Sequence, residues 1–273
     1  MSGILYVVGT PIGNLGDFSP RAREILSEVD FIAAEDTRVT LKLLNKFEIS
    51  TPMLSYHEHN HITSGEKIIA RLLGGESCAL VTDAGMPAIS DPGEDLVRMA
   101  HKNGITVSSV PGPSAVITAL AISGMPSGRF SFEGFLSTAK QSRKEHLAQL
   151  KDDTRTLIFY EAPHKLIYTL KDMLETFGDR EIALCKELTK LHETVIHTTF
   201  SAALEDFEVT PPKGEYVMII KGAEPKKDEG YTLEQAVAMA KEYQENGESA
   251  STAAKLAAKE TGFKKSDIYK ELL

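Results

Sequence analysis

Leu5-Tyr6-Val7-Val8-Gly9-Thr10-Pro11-Ile12-Gly13-Asn14-Leu15-Gly16-Asp17 is the stretch on which the fold turns. An apolar run suited to a buried strand passes directly into a loop spaced by Gly9, Gly13 and Gly16. Glycines immediately behind a strand either let backbone approach something closely or make a tight strand-to-helix turn. The spacing is not the dinucleotide fingerprint G-x-G-x-x-G, and no Lys-Ser/Thr pair follows as in a P-loop. The loop therefore reads as the ligand edge of an α/β sheet without specifying a nucleotide phosphate.

Working outward, apolar segments at Ile4–Val8, Asp30–Ala34, Met53–Tyr56, Ala79–Thr82 and Thr106–Val110 predict strands. Between them, Pro20–Glu28, Thr37–Asn45, Ser64–Leu73 and Glu94–Lys102 carry helical apolar spacing. That alternation predicts βαβ units and a mainly parallel sheet, with ligands beyond the carboxyl ends of its strands. Three Gly/Pro-rich loops lie there: Gly9–Gly16, Asp83–Gly93 and Pro111–Ser114. Pro111-Gly112-Pro113 cannot continue a strand, and Ser114 suits a helix start before Ala115–Ile122.

From Phe130 onward the texture changes. Thr156–Tyr160, Glu181–Leu188, Glu193–Thr199 and Glu215–Lys221 read as strands with fewer helices between them, predicting a second α/β domain with a mixed sheet. Residues 223–230 read as a polar linker, followed by helices at Leu233–Tyr243, Ser251–Lys259 and Lys264–Leu273. Ala258, Gly262 and Ile268 match the spacing of a helix-turn-helix, and an αα-hairpin fits the same periodicity. The expected organisation is two α/β domains, 1–113 and 114–222, with a cleft between them and a helical extension over 231–273.

The chain has 273 residues, 42% of them hydrophobic and 25% charged, with a net charge of −9. No apolar run reaches the roughly 20 residues of a membrane span, and no basic-then-apolar signal opens the chain, so a cytoplasmic protein is expected. Cys78 and Cys185 sit in apolar segments and read as reduced core residues. The acidic balance argues against a nucleic-acid coat held by bulk electrostatics. Local basic clusters nonetheless occur at Lys140, Arg143, Lys144, His146 and Lys151, and at Lys255, Lys259, Lys264, Lys265 and Lys270.

Several residues suit chemistry. Ala-Glu-Asp-Thr-Arg at 34–38 closes a strand with two acids and a guanidinium, and strand alternation allows only one of Glu35 and Asp36 to face a site. Asp36 reads either as a site carboxylate or as the N-cap of the next helix, and Arg38 suits a phosphate or carboxylate. The small residues of the Val81–Gly93 stretch expose backbone N–H and C=O groups while Met86 and Ile89 offer apolar surface, which suits a flat heterocycle and a ribose; lacking lysine, it suits a triphosphate poorly. His57, His59 and His61 would share a face if extended, but no spaced acid or cysteine set completes a metal site, so a substrate-contacting loop is the better reading and no metal is expected. His192-Glu193 lacks zinc-hydrolase spacing, and no G-x-S-x-G elbow occurs. Tyr-Glu-Ala-Pro-His-Lys at 160–165 and Lys-Glu-Leu-Thr-Lys at 186–190 each close a strand where a second domain can face the first.

Gly-Thr-Pro-Ile-Gly-Asn-Leu at 9–15, Ala-Glu-Asp-Thr-Arg at 34–38, Asp-Ala-Gly-Met-Pro-Ala-Ile-Ser-Asp-Pro-Gly at 83–93, Pro-Gly-Pro-Ser-Ala at 111–115, Tyr-Glu-Ala-Pro-His at 160–164 and Glu-Leu-Thr-Lys at 187–190 resemble, in order, the ribosomal RNA small-subunit 2′-O-methyltransferase I family of the tetrapyrrole (corrin/porphyrin) methylase superfamily. Met86, where Thr is expected, and Lys165, where Arg is expected, depart mildly from it. The resemblance implies methyl transfer from S-adenosylmethionine to a cytidine 2′-hydroxyl of 16S ribosomal RNA near the decoding centre, within the small ribosomal subunit, by a homodimer holding the cofactor between its two α/β domains. Carried over by position, the cofactor contacts are Pro11, Asp83, Ala84, Gly85, Met86, Ile89, Ser114 and Ala115, with Glu161 and Leu188 from the second domain. Asp36 is the expected base, with Arg38 and Lys190 as phosphate or oxyanion partners.

Three rival readings remain open. A tetrapyrrole methyltransferase of the same fold is opposed by the 34–38 block and the C-terminal extension. A helix-turn-helix regulator leaves the three strand-end loops unexplained. A kinase or dehydrogenase lacks its glycine spacing and phosphate-loop lysine.

Overall fold

The structure, a computed structural model, describes residues 2–225 and 231–273. Two compact units occur, one through Ala223 and one from Glu224. The first contains both sheets. Its leading half alternates β1 (Ile4–Val8), α1 (Pro20–Glu28), β2 (Phe31–Ala34), α2 (Thr37–Lys46), β3 (Met53–Ser55), α3 (His61–Leu73), β4 (Cys78–Val81), α4 (Gly93–Lys102) and β5 (Thr106–Val110). All five strands are parallel, in the order β3-β2-β4-β1-β5. The near-continuous apolar sequences of β1, β2 and β4, the three inner strands, follow from burial on both faces. Leu26 and Leu44, from α1 and α2, cover one face, while Ile68, Leu72 and Leu96, from α3 and α4, cover the other.

After α5 (Ala115–Ile122) come β6 (Phe130–Phe135), α6 (Lys140–Leu150), β7 (Thr156–Glu161), α7 (Pro163–Phe177), β8 (Glu181–Lys186), β9 (Thr194–Thr199), α8 (Phe200–Val209) and β10 (Tyr216–Ile220). They build a mixed sheet in the order β6-β7-β10-β8-β9, whose only parallel pair is β6 with β7. Three helices, α6 to α8, pack on one face of it, more than the sequence texture suggested. The other face receives Val116, Ala119 and Leu120 of α5, together with Ile12 from the glycine loop behind β1. Ile12 thus ties the leading half of the unit to the second sheet.

Three members of the basic cluster around α6 are paired internally. Arg143 pairs with Asp172 at 2.7 Å, Lys144 with Glu175 at 2.8 Å, and His146 with Glu133 at 2.9 Å. The histidine run is not extended: Asn60 precedes α3, which His61 opens, so the three imidazoles do not share a strand face.

The second unit is three helices, α9 (Leu233–Glu245), α10 (Ala250–Thr261) and α11 (Lys265–Lys270), around Ala236, Ala240, Ala253, Ala254, Ala257 and Ile268. Thr232 and Gln235 form a capping box on α9, and Gly262 ends α10 in the left-handed conformation at φ 76°. Residues 226–230 of the expected linker lie outside the described residues. No helix among the described residues is long and apolar enough to cross a membrane.

Candidate active site

The loops behind β1, β4 and β5 converge because their strands are neighbours. Thr10 and Gly85 exchange backbone hydrogen bonds at 3.0 and 3.2 Å, and the Gly9 N–H donates to the Val110 carbonyl at 3.1 Å. The Thr10 hydroxyl donates to the Thr82 carbonyl at 3.2 Å. Gly9 and Gly112 lie back to back, so that a Cβ on Gly9 would sit 2.6 Å from the Gly112 Cα. A Cβ on Gly13 would sit 2.7 Å from the Lys190 Cγ and 3.0 Å from the Leu188 carbonyl. Two of the three glycines therefore serve close approach, one toward the β5 loop and one toward the turn behind β8. Gly16 belongs to a single 3-10 turn, where its N–H donates to the Asn14 side chain.

These loops face the β7, β8 and β10 ends across a cavity of about 560 Å³, within the range of small-molecule sites. Asp83, Ala84, Gly85, Met86, Ile89, Ser114, Ala115, Glu161 and Leu188 all line it, as does Ile12. Pro11 does not; it lies between bridged Thr10 and cavity-lining Ile12. Asp36, Arg38 and Lys190 are also absent from the lining. Glu35, the alternative to Asp36, completes the wall with Asp91 and Tyr160 of the quoted motifs and with Phe135 and Glu215, which the sequence did not single out. Phe135 and Tyr160 form a ring pair at 5.3 Å.

The cavity's charge has one sign. Glu35, Asp83, Asp91, Glu161 and Glu215 line it, and no lysine, arginine or histidine does. Glu35 accepts a hydrogen bond from the Thr82 hydroxyl. Desolvation at the cavity wall and the nearby Glu35 carboxylate push the Asp83 carboxyl up. Asp83 accepts the Asp36 N–H at 3.1 Å. Glu161 is buried, accepting the Thr169 hydroxyl at 2.6 Å and the Ala162 N–H at 2.9 Å.

Two strained turns frame the cavity. Ala88 (φ 67°) and Ser90 (φ 64°) lie in the β4 loop, and Glu187 (φ 51°) and Thr189 (φ 64°) follow β8. Left-handed conformations at non-glycine residues persist only where surroundings enforce them. Asp91 does so in the first turn, accepting the N–H groups of Ala88 at 2.9 Å, Ile89 at 3.3 Å and Gly93 at 2.7 Å. Burial raises its pKa despite these bonds. Glu187 does so in the second, accepting the Glu215 N–H at 2.9 Å and the Lys190 ammonium at 3.1 Å.

The expected catalytic trio has a different geometry. Asp36 is the N-cap of α2, accepting the Arg38 N–H at 2.8 Å, and its carboxylate also holds the Arg38 guanidinium at 3.0 and 2.6 Å. Those bonds hold the Asp36 carboxyl well below its usual range, at about 2. The Arg38 side chain is 87% exposed. Lys190 lies between Glu187 and Glu215, the latter at 2.7 Å. Burial opposes its charge, but the two carboxylates outweigh it and raise its pKa.

Residues 4–204 match the tetrapyrrole (corrin/porphyrin) methylases. A Xylella fastidiosa protein named Ribosomal RNA small subunit methyltransferase I is 48% identical over 271 residues, covering 98% of each chain. A Thermotoga maritima protein of the same name is 47% identical over 222 residues, covering 81% of this chain and 100% of its own. Among solved structures, a diphthine synthase superposes with a TM-score of 0.61 at 13% identity, covering 81% of this chain and 90% of that one, a likeness of fold. The chain belongs to the tetrapyrrole (corrin/porphyrin) methylase family and, within it, to the group named Ribosomal RNA small subunit methyltransferase I.

Proposed function

We propose that the protein transfers a methyl group from S-adenosylmethionine to a cytidine 2′-hydroxyl of 16S ribosomal RNA near the decoding centre, acting in the cytoplasm as a homodimer. The observation that carries this reading is the cavity wall: five carboxylates and no basic side chain at the edge of the sheet. Such a wall repels phosphate and favours a ligand with cationic groups. S-adenosylmethionine, with its sulfonium and ammonium, fits that charge, and Met86, Leu188 and Val217 supply apolar surface for a base. When bound, it supplies an electrophilic methyl group to an oxygen nucleophile held in line with the sulfur–methyl bond. The small-subunit RNA substrate rests on the relatives' names.

The chain's own residues divide the remaining work. Asp83 lies on the cavity wall with a raised pKa and is the acceptor for the hydroxyl proton. This replaces the base role expected for Asp36, whose carboxylate, held at about 2 by Arg38, accepts protons weakly. Asp36 instead fixes Arg38 beside the mouth, where the exposed guanidinium meets the RNA phosphate flanking the reacting ribose. Lys190, held by Glu187 and Glu215, keeps Glu215 against the cavity. The first unit holds this machinery, in keeping with the Thermotoga relative, whose full length matches only 222 residues of this chain. Exposed apolar side chains such as Leu191, 93% exposed, offer area for self-association.

The test is labelled methyl transfer to small ribosomal subunits, with naked 16S RNA and a tetrapyrrole precursor in parallel. Label recovered in an alkali-resistant dinucleotide supports ribose 2′-O-methylation. Label only in the tetrapyrrole overturns the substrate, and label in a base overturns the position.

A further inference from the structure

We propose that the solvent face of α2 is the track along which the RNA strand leaves the active site, its phosphates lying on Arg38, Lys42 and Lys46. The inference rests on the RNA-methyltransferase reading and extends it to a surface outside the cavity.

The spacing is that of a single ridge. Arg38, Lys42 and Lys46 stand at i, i+4 and i+8, so they lie on one side of the helix, opposite the buried Thr40 and Leu44. Each step rises about 6 Å along the axis, comparable with the spacing of successive phosphates on a nucleic-acid strand. No acidic residue occurs within Thr37–Lys46. The ridge begins at the site, since Asp36, which caps α2 and holds Arg38, bonds through its N–H to Asp83 in the cavity wall. A strand that places a ribose at Asp83 therefore brings its neighbouring phosphates over the ridge.

Three basic side chains in one row with no acid among them give α2 a uniform positive face. The net charge is −9, and several basic side chains elsewhere in the first unit are engaged by acids: Arg71 by Glu76, Arg98 by Asp95, Arg143 by Asp172, Lys144 by Glu175 and Arg155 by Asp153. Lys42 and Lys46, both exposed, meet no carboxylate among the described residues. Unpaired lysines on an acidic protein complement a polyanion and do little for the fold. Val39 and Leu41, exposed on the same helix, provide apolar surface beside the ridge.

The test compares the full chain with K42Q/K46Q and with K67Q/K102Q, the latter removing equal charge from α3 and α4 on the other face of the sheet. Binding to 16S RNA and to small subunits is measured across a salt series, beside methyl transfer, S-adenosylmethionine affinity and oligomeric state. K42Q/K46Q is expected to weaken RNA binding and raise the RNA KM several-fold. It should flatten log K against log salt by about 0.7 per lysine for a single strand, leaving kcat and cofactor affinity unchanged. K67Q/K102Q is expected to behave as the unaltered protein. Equal binding and equal slope for K42Q/K46Q, or equal losses in both variants, overturns the track. A change in oligomeric state in place of RNA affinity assigns α2 to a second copy of the chain and also overturns it. RNA that binds through α2 but receives no methyl group overturns the activity alone, and absence of RNA binding overturns both.

Discussion

Gly9 and Gly112 occupy each other's side-chain space: a Cβ on Gly112 would lie 2.7 Å from the Gly9 Cα, and one on Gly9 would lie 2.6 Å from the Gly112 Cα. The obstacle on both sides is backbone, which cannot rotate aside. Because Gly9 also donates to Val110 and Thr10 is bridged to Gly85, the contact sets how three strand-end loops meet. Gly9→Ala is therefore expected to destabilise the protein by about 1–3 kcal/mol, as overpacking does, and to lose cofactor affinity. Gly16→Ala meets only the Asn14 side chain, at 3.1 Å, and is expected to retain both properties. Denaturant unfolding and calorimetric titration with S-adenosylmethionine check the pair; equal behaviour of the two variants would refute the assignment.

Asp91 carries the strain of the β4 loop. Its carboxylate collects three backbone N–H groups across a turn where Ala88 and Ser90 are left-handed. Asp91→Ala leaves those donors without their acceptor, at about 1–3 kcal/mol, and frees the turn to relax. The expected result is a cofactor KM raised about tenfold or more with a smaller change in kcat, since the proton acceptor is elsewhere. Asp91→Asn keeps an acceptor and is expected to recover part of the loss. Steady-state kinetics on the two variants decides, and an unchanged cofactor KM in Asp91→Ala would remove the loop's role.

The parallel sheet was legible because β1, β2 and β4 are continuously apolar and several helices begin at a recognisable signal. Pro20–Glu28 follows Ser19, whose side chain caps it, and Ala115–Ile122 follows Pro111-Gly112-Pro113. β6 was not legible. Phe130–Phe135 is an edge strand interrupted by Gly134 at φ 65°, where the register with β7 shifts, and a glycine bulge reads locally as a break. At the site, alternation allows only one of Glu35 and Asp36 to face inward, and Glu35 lines the cavity while Asp36 does not. Which one depends on the register of β2 against β4, and that pairing places Glu35 beside Thr82. Asp91 was hidden inside a recognised loop because its work is done on backbone groups that no side-chain pattern reports.

Both cysteines should be inert in the folded protein. Burial pushes the Cys78 thiol up to about 12 and the Cys185 thiol up to about 11. Cys185 lines the cavity but donates to the Ala119 carbonyl at 3.7 Å. At pH 8 almost none of either is thiolate, the reactive form. A thiol reagent is expected to label neither in the native protein and both after denaturation. Rapid native labelling of Cys185 that S-adenosylmethionine does not suppress would contradict its place in the wall.

Asp83 is expected to trade stability for activity. Its folded pKa lies above its ordinary value because of desolvation and the Glu35 carboxylate. Between the two values the native state binds more protons than the unfolded chain. This carboxyl's contribution to stability therefore declines as pH rises through that window and is unfavourable at neutral pH. The proton-accepting form is the carboxylate, so kcat should fall as pH drops through the raised pKa. Asp83→Asn removes the repulsion from Glu35 and still accepts the Asp36 N–H. The variant is expected to melt at a higher temperature at pH 7, with kcat reduced about 10²-fold or more and the acidic limb of the kcat profile gone. Asp36→Asn loosens Arg38, so it should raise the RNA KM while leaving that limb in place. Thermal denaturation and pH–rate profiles of the two variants separate the roles. An acidic limb that survives in Asp83→Asn and disappears in Asp36→Asn would return the base to Asp36.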